Sequence, residues 1–262
     1  MTSTAMTIAG SDPSAGAGLQ ADLKTFHQHG IYGTSIVTMV TVQNTQVVDE
    51  IKVLPSDFVA AQLDAVINDI PPLAAKTGAL GNAPIVEIIA DRSLNFSFPL
   101  VVDPIILSTQ GKSLLDKDAV WALKKKLLPN AFLVTPNLLE ASELAGMEVV
   151  DWTSMEKAAG IISGYGVKSV LVKGGHLEGD PTDLLFTDGR SQRLSGERFD
   201  TKHTHGTGCV LSAAITARLA SGEDLSDAVL AAKQFVAATI KSNPGLGKGY
   251  GPVNFHVPVG TN

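Results

Sequence analysis

An α/β domain is the fold that the sequence predicts: a three-layer α/β/α sandwich whose central sheet is mainly parallel. Three observations carry it. Short β-rich apolar runs alternate with longer stretches of helical pattern, the rhythm of repeated βαβ units. Several of the strand candidates are apolar almost throughout, as parallel strands covered on both faces must be. No linker, repeat or low-complexity tract interrupts the pattern, so residues 1–262 read as one domain.

The expected strands are residues 5–9, 35–42, 73–77, 100–103, 132–135 and 169–173, and the expected helices between them are residues 18–29, 55–70, 84–94, 116–128, 138–145 and 154–165. In the first helix Leu19, Leu23 and Phe26 mark the apolar face by their spacing. The rhythm then changes. Residues 183–187 and 192–199, joined across Asp188-Gly189, read as a β-hairpin, and two alanine-rich helices follow at 208–220 and 225–241. The glycine-rich tail at 245–252 reads as a loop or a flap.

Composition narrows the function classes. Twenty basic and 26 acidic residues give a net charge of −6, and the largest basic cluster is Lys124-Lys125-Lys126, read as the solvated face of a helix. Nucleic acid is therefore a disfavoured partner. The single cysteine excludes an internal disulfide and points to a reducing compartment. The chain does not start with a basic segment and a long apolar run, and no stretch approaches the roughly 20 apolar residues of a membrane span. A cytoplasmic protein with no membrane partner is the expectation.

In open α/β sheets, ligands bind beyond the carboxyl ends of the strands, and there the sequence places polar residues after every strand. Near the C-terminus, Gly206-Thr207-Gly208-Cys209 runs directly into an apolar helix. Two glycines let the backbone turn tightly and aim N–H groups one way, at the positive end of a helix. That suits a phosphate or a developing anion, and a thiol there is expected to have a lowered pKa and to serve as a base. The alternative is a small buried hydrophobe after a plain turn. Asp103 follows a buried strand, and Asn137 and Glu140 share one face at a helix start. Such oxygen ligands suit Mg²⁺ carrying substrate phosphates, while a capping box explains the Asn137–Glu140 pair equally well. Asp22 reads either as an exposed carboxylate or as one that takes a hydrogen bond from a substrate amino or hydroxyl group. Gln43, with a donor and an acceptor, fits an aminopyrimidine edge. His203 and His205 flank the glycine turn without zinc-ligand spacing and read as loop histidines.

Two nucleotide motifs fail. Gly16-Ala17-Gly18-Leu19-Gln20-Ala21 matches the dinucleotide fingerprint in form, but the turn is too long and no acidic residue ends the second strand. Gly111-Lys112-Ser113 ends like a phosphate-binding loop, but Ile106 stands where the first glycine is required.

Five segments together resemble the ribokinase-like superfamily, and within it the hydroxymethylpyrimidine/phosphomethylpyrimidine kinases of thiamine biosynthesis. They are residues 9–24 around Gly10 and Asp22, Val42-Gln43-Asn44-Thr45, Val101-Val102-Asp103-Pro104, Thr135-Pro136-Asn137-Leu138-Leu139-Glu140-Ala141, and Lys173-Gly174-Gly175-His176 with His203–Cys209. The resemblance implies ATP and Mg²⁺, with Gln43, Asp22 and Gly10 at the pyrimidine. It implies Asp103, Asn137 and Glu140 organising Mg²⁺ and phosphates, with Lys173 near the phosphates. The N–H groups of Gly206, Thr207, Gly208 and Cys209 would form the anion hole, and Cys209 would be the base. It further implies a homodimer. Ala79 departs from the family, which often carries methionine there, and leaves more room beside the ring. A pyridoxal kinase of the same group and a kinase-like binding protein without turnover are the competing readings.

Overall fold

The computed structural model describes residues 2–107, 111, 113–175, 177 and 181–260; Lys112 and His176, named above, lie outside them. The first half of the chain forms β1 (Thr4–Ser11), α1 (Gly18–Gln28), β2 (Tyr32–Gln43), β3 (Val48–Val53), α2 (Ser56–Asp69), β4 (Ala74–Thr77), α3 (Ala83–Ser93) and β5 (Leu100–Val102). There follow α4 (Lys117–Ala122), β6 (Leu133–Val134), α5 (Leu138–Ala145), α6 (Trp152–Ser163), β7 (Ser169–Val172), β8 (Thr182–Thr187), β9 (Arg190–Ser195), α7 (Thr207–Ala220) and α8 (Leu225–Lys241).

The strands form one sheet in the order β3-β2-β1-β4-β5-β6-β7-β8-β9. From β2 to β7 all pairings are parallel; β3 at one edge and β8 and β9 at the other are antiparallel. Alternation within the central strands explains their apolar sequences. Val102, Val134 and Val170 pack on the face covered by α2, α3, α5 and α6, whereas Val101, Leu133 and Leu171 pack on the face covered by α7 and α8. Helix α7 is buried nearly all round, which its Ala-rich, uniformly apolar sequence requires.

Three elements differ from expectation. Strand β3 was not foreseen because Asp49 and Glu50 break its apolar alternation, and a register shift at Val42/Gln43 breaks its period. The helix expected over 116–128 is α4, then a π-helical turn over Leu123–Leu127 and a 3₁₀ turn over Leu128–Asn130. The wide turn buries Leu123, Leu127 and Leu128 together while Lys125 and Lys126 stay exposed. In the hairpin, β9 begins and ends earlier than expected, because Asp188 and Gly189 both take positive φ and close a two-residue turn.

Candidate active site

Between β1 and β4 the strand order reverses, and a cleft of about 780 Å³ opens at the carboxyl ends of the strands there and beyond. All the nominated residues line it: Gly10, Asp22, Gln43, Ala79, Asp103, Asn137, Glu140, Lys173, Gly206, Thr207, Gly208 and Cys209.

One end of the cleft is the glycine turn at the start of α7. Gly206 has φ of 81°, and a Cβ there would run into the carbonyl of Gly16. Only glycine lets the chain enter α7 at this point. Gly208 and Cys209 lie in the first turn, where helix geometry leaves N–H groups without intrahelical partners. Thr207 N–H instead turns back to the Thr204 carbonyl at 3.3 Å, so an anion at this turn would meet the N–H groups of Gly208 and Cys209 before that of Thr207. A Cβ on Gly208 would stand 3.3 Å from Lys173 Nζ, so the lysine ammonium borders the same turn.

Lys173 Nζ donates to Asp103 Oδ1 at 3.1 Å and stands 3.9 Å from Glu140 Oε2. Asp103 also accepts from Thr135 Oγ1 at 3.2 Å and from Ser212 Oγ at 3.1 Å. Burial alone would raise Asp103, but the Lys173 and Lys76 ammonium groups hold its carboxyl below the usual range. Burial likewise opposes the charge of Lys173, yet Asp103 and Glu140 keep its pKa above that of an ordinary lysine. Glu140 behaves differently: burial, helped by Asp103, pushes it up to about 7 against the pull of Lys173. The capping box is real, with Asn137 N–H donating to Glu140 Oε2 at 2.7 Å and Glu140 N–H to Asn137 Oδ1 at 2.9 Å.

Among the described residues, no cluster of three or more His, Cys, Asp or Glu side chains could hold a metal. A carboxylate offers about four lone-pair sites. Asp103 fills three of them, with Lys173, Thr135 and Ser212, and Glu140 fills two, with the N–H groups of Asn137 and Ile106. The spare capacity fits Mg²⁺ that keeps most of its water and arrives on phosphates, and does not fit an all-protein cage.

Two expectations are corrected here. The Cys209 thiol is not lowered: burial pushes it up to about 12, with Asp22 and Asp103 adding to the rise and Lys76 opposing it. Helix position alone does not decide, because the side chain is buried from water. Nor is Asp22 exposed. It is fully buried, with both carboxylate oxygens 2.9 Å from Lys76 Nζ and Oδ2 accepting from Thr7 Oγ1 at 2.6 Å. A substrate hydrogen bond to Asp22 would therefore share oxygens already held by an ion pair.

His205 does lie in the loop before α7, as expected. It is buried, its Nε2 lies 2.9 Å from Asp12 Oδ2, and the amide of Gln43 stands 3.3 Å away. The glycine-rich tail closes over this region. His205 N–H donates to the Gly251 carbonyl at 3.1 Å, and Tyr250 N–H to the Thr45 carbonyl at 2.8 Å. Sequence reasoning missed Asp12, Lys76, His205 and Ser212. A lysine inside the strand Ala74–Thr77 was a signal for Lys76, since unpaired lysine is almost never fully buried. Ser212 sits one helical turn beyond Gly208, a spacing that places both on one face.

The family model of phosphomethylpyrimidine kinases matches residues 12–254. The hydroxymethylpyrimidine/phosphomethylpyrimidine kinase of Haemophilus influenzae is 47% identical over 95% of both chains. Among solved structures, the ADP complex of Bacillus subtilis pyridoxal kinase superposes with a TM-score of 0.91 at 36% identity, covering 97% of this chain and 98% of that one. The phosphomethylpyrimidine kinase of Clostridium difficile superposes with a TM-score of 0.81 at 38% identity, covering 91% and 100%. With a mainly parallel ribokinase-like sheet, a glycine turn at the start of α7 and a matching sequence over nearly its whole length, the chain belongs to the phosphomethylpyrimidine kinase family.

Proposed function

We propose that this kinase transfers the γ-phosphoryl group of ATP to the hydroxymethyl oxygen of 4-amino-5-hydroxymethyl-2-methylpyrimidine. A second transfer to the monophosphate gives the diphosphate used in thiamine biosynthesis. One observation supports this reading: a single cleft brings together the Gln43 amide and the glycine turn at the start of α7 beside Lys173.

Lys173 and the N–H groups of Gly208 and Cys209 neutralise the transferring group, and charge neutralisation with positioning is most of what phosphoryl transfer needs. Mg²⁺, held through water by Asp103 and Glu140 near Asn137, would supply further neutralisation of the phosphates. As the new O–P bond forms, the bond from γ-phosphorus to the ADP oxygen breaks and the hydroxyl proton passes to Cys209 Sγ. Lys76 favours the thiolate that accepts it; burial, Asp22 and Asp103 disfavour it. Gly10 packs against Met39 at the ring end, and Ala79 leaves space there. That space keeps pyridoxal as the second substrate to test.

We further propose one domain, supported by the single sheet, and a cytoplasmic location, supported by a lone free thiol. Among the described residues no helix is long and apolar enough to cross a membrane. A homodimer is proposed on Val40, Val42 and Val47, about half exposed beside the edge strand β3. Light scattering at assay concentration would give twice the chain mass; a monomer mass would refute the dimer. The substrate reading is tested by ADP release with each candidate acceptor.

A further inference from the structure

His205 joins three parts of the chain that are far apart in sequence: the turn after β1, the end of β2 and the start of α7. Asp12 lies at the centre. Its Oδ1 accepts from Ser14 N–H at 2.8 Å and Ser14 Oγ at 2.7 Å. Its Oδ2 accepts from Ala17 N–H at 2.9 Å and Gly16 N–H at 3.2 Å, and faces His205 Nε2 at 2.9 Å. Burial works to raise Asp12, but the hydrogen bonds from His205 and Ser14 outweigh it and hold the carboxyl below the usual range. An ionised carboxylate can only accept, so His205 Nε2 carries a proton.

That proton constrains Gln43. The structure sets Gln43 Nε2 3.3 Å from that same ring nitrogen, but a protonated nitrogen has no lone pair to take an amide N–H, so the amide oxygen belongs there. Amide oxygen and nitrogen are alike in shape, so the hydrogen-bond network decides between them. The other side of the amide agrees. Thr41 Oγ1 is 3.2 Å from the atom set as Gln43 Oε1 and 3.0 Å from the Ser11 carbonyl. A hydroxyl has one proton. Donated to the Ser11 carbonyl, it leaves the Thr41 oxygen as an acceptor for the Gln43 NH₂.

We infer that His205, held by Asp12, is a positioning residue that sets the Gln43 amide with its oxygen toward His205 and its nitrogen toward Thr41, and so fixes the register in which the cleft reads a heteroaromatic ring. The amide oxygen accepts from an exocyclic amino group and the NH₂ donates to a ring nitrogen. An aminopyrimidine therefore docks with its amino group on the His205 side and its ring nitrogen on the Thr41 side. That docking register rests on the pyrimidine reading proposed above; the amide orientation does not.

Two measurements test it. Nitrogen-15 NMR of the imidazole in the ligand-free protein is expected to show Nε2 of His205 protonated, and a bare Nε2 would overturn the amide setting. Steady-state kinetics then compare His205→Leu, which removes the donor, with His205→Gln, whose amide N–H can stand in for it. The leucine variant is expected to raise KM for hydroxymethylpyrimidine about tenfold, the scale of one hydrogen bond, with kcat and KM for ATP unchanged. The glutamine variant should restore KM to near the wild-type value. An unchanged KM in the leucine variant, or a loss of kcat that glutamine does not rescue, would refute the positioning role. Should the leucine variant not fold, the glutamine variant and the NMR spectrum still decide. No turnover of hydroxymethylpyrimidine by the unaltered protein would sink the substrate reading, while the spectrum would still report the amide orientation.

Discussion

Lys76 and Asp22 form a fully buried ion pair, the ammonium 2.9 Å from both carboxylate oxygens, in electrostatic reach of the Cys209 thiol. The pair ties the centre of β4 to α1. Neither side chain reaches water, so each charge depends on the other. Removing one partner leaves an uncompensated buried charge, which typically costs about 3–5 kcal/mol. Lys76→Met should lower stability to urea by that order. The double variant Lys76→Met/Asp22→Leu should recover most of the loss. A single variant as stable as the unaltered protein would show that the pair is not needed for the fold.

Cys209→Ala is expected to reduce turnover about 10²–10⁴-fold, the scale of general-base catalysis, while ADP binding by calorimetry stays the same. The pH dependence follows from the raised thiol. A base with a pKa of about 12 is scarce at neutral pH, and its ionised fraction grows with each unit below that value. In the unaltered protein kcat/KM should therefore keep rising from pH 7.5 into the alkaline range, and the alanine variant should lose the rise. A plateau in the unaltered protein through that range would show that Cys209 is not the base.

Glu140 offers a second titration, with the opposite use. Its carboxyl, raised by burial to about 7 from an ordinary 4.5, binds a proton more tightly in the folded chain than in the unfolded one. The stability linked to that proton is complete below about pH 4.5 and is lost as pH rises through about 7. Glu140→Gln cannot ionise and keeps an oxygen for Asn137 N–H. Its urea midpoint should gain on that of the unaltered protein between pH 5 and pH 8. The same variant should need more Mg²⁺ for half-maximal turnover. A midpoint difference that is flat with pH would contradict the raised carboxyl.

The sheet and most helices were legible because buried parallel strands announce themselves as unbroken apolar runs, such as Val101-Val102 and Val170-Leu171-Val172. Strand β3 was not, since Asp49 and Glu50 interrupt its apolar alternation. The glycine turn at the start of α7 was legible through Gly206, whose backbone freedom the turn requires. The chemistry of Cys209 was not. Its pKa depends on burial and on Lys76, Asp22 and Asp103, which arrive from three other elements and leave no mark on the local sequence. His205 was missed for the same reason, because Asp12 and Gln43 lie more than 150 positions away.

The central claim is that one cleft carries ATP-dependent phosphoryl transfer to a pyrimidine hydroxymethyl group and then to its monophosphate. A coupled ADP-release assay with hydroxymethylpyrimidine, its monophosphate and pyridoxal, run side by side, tests it most directly. Turnover with the pyrimidine and with its monophosphate is the predicted result. Turnover with pyridoxal alone would contradict it.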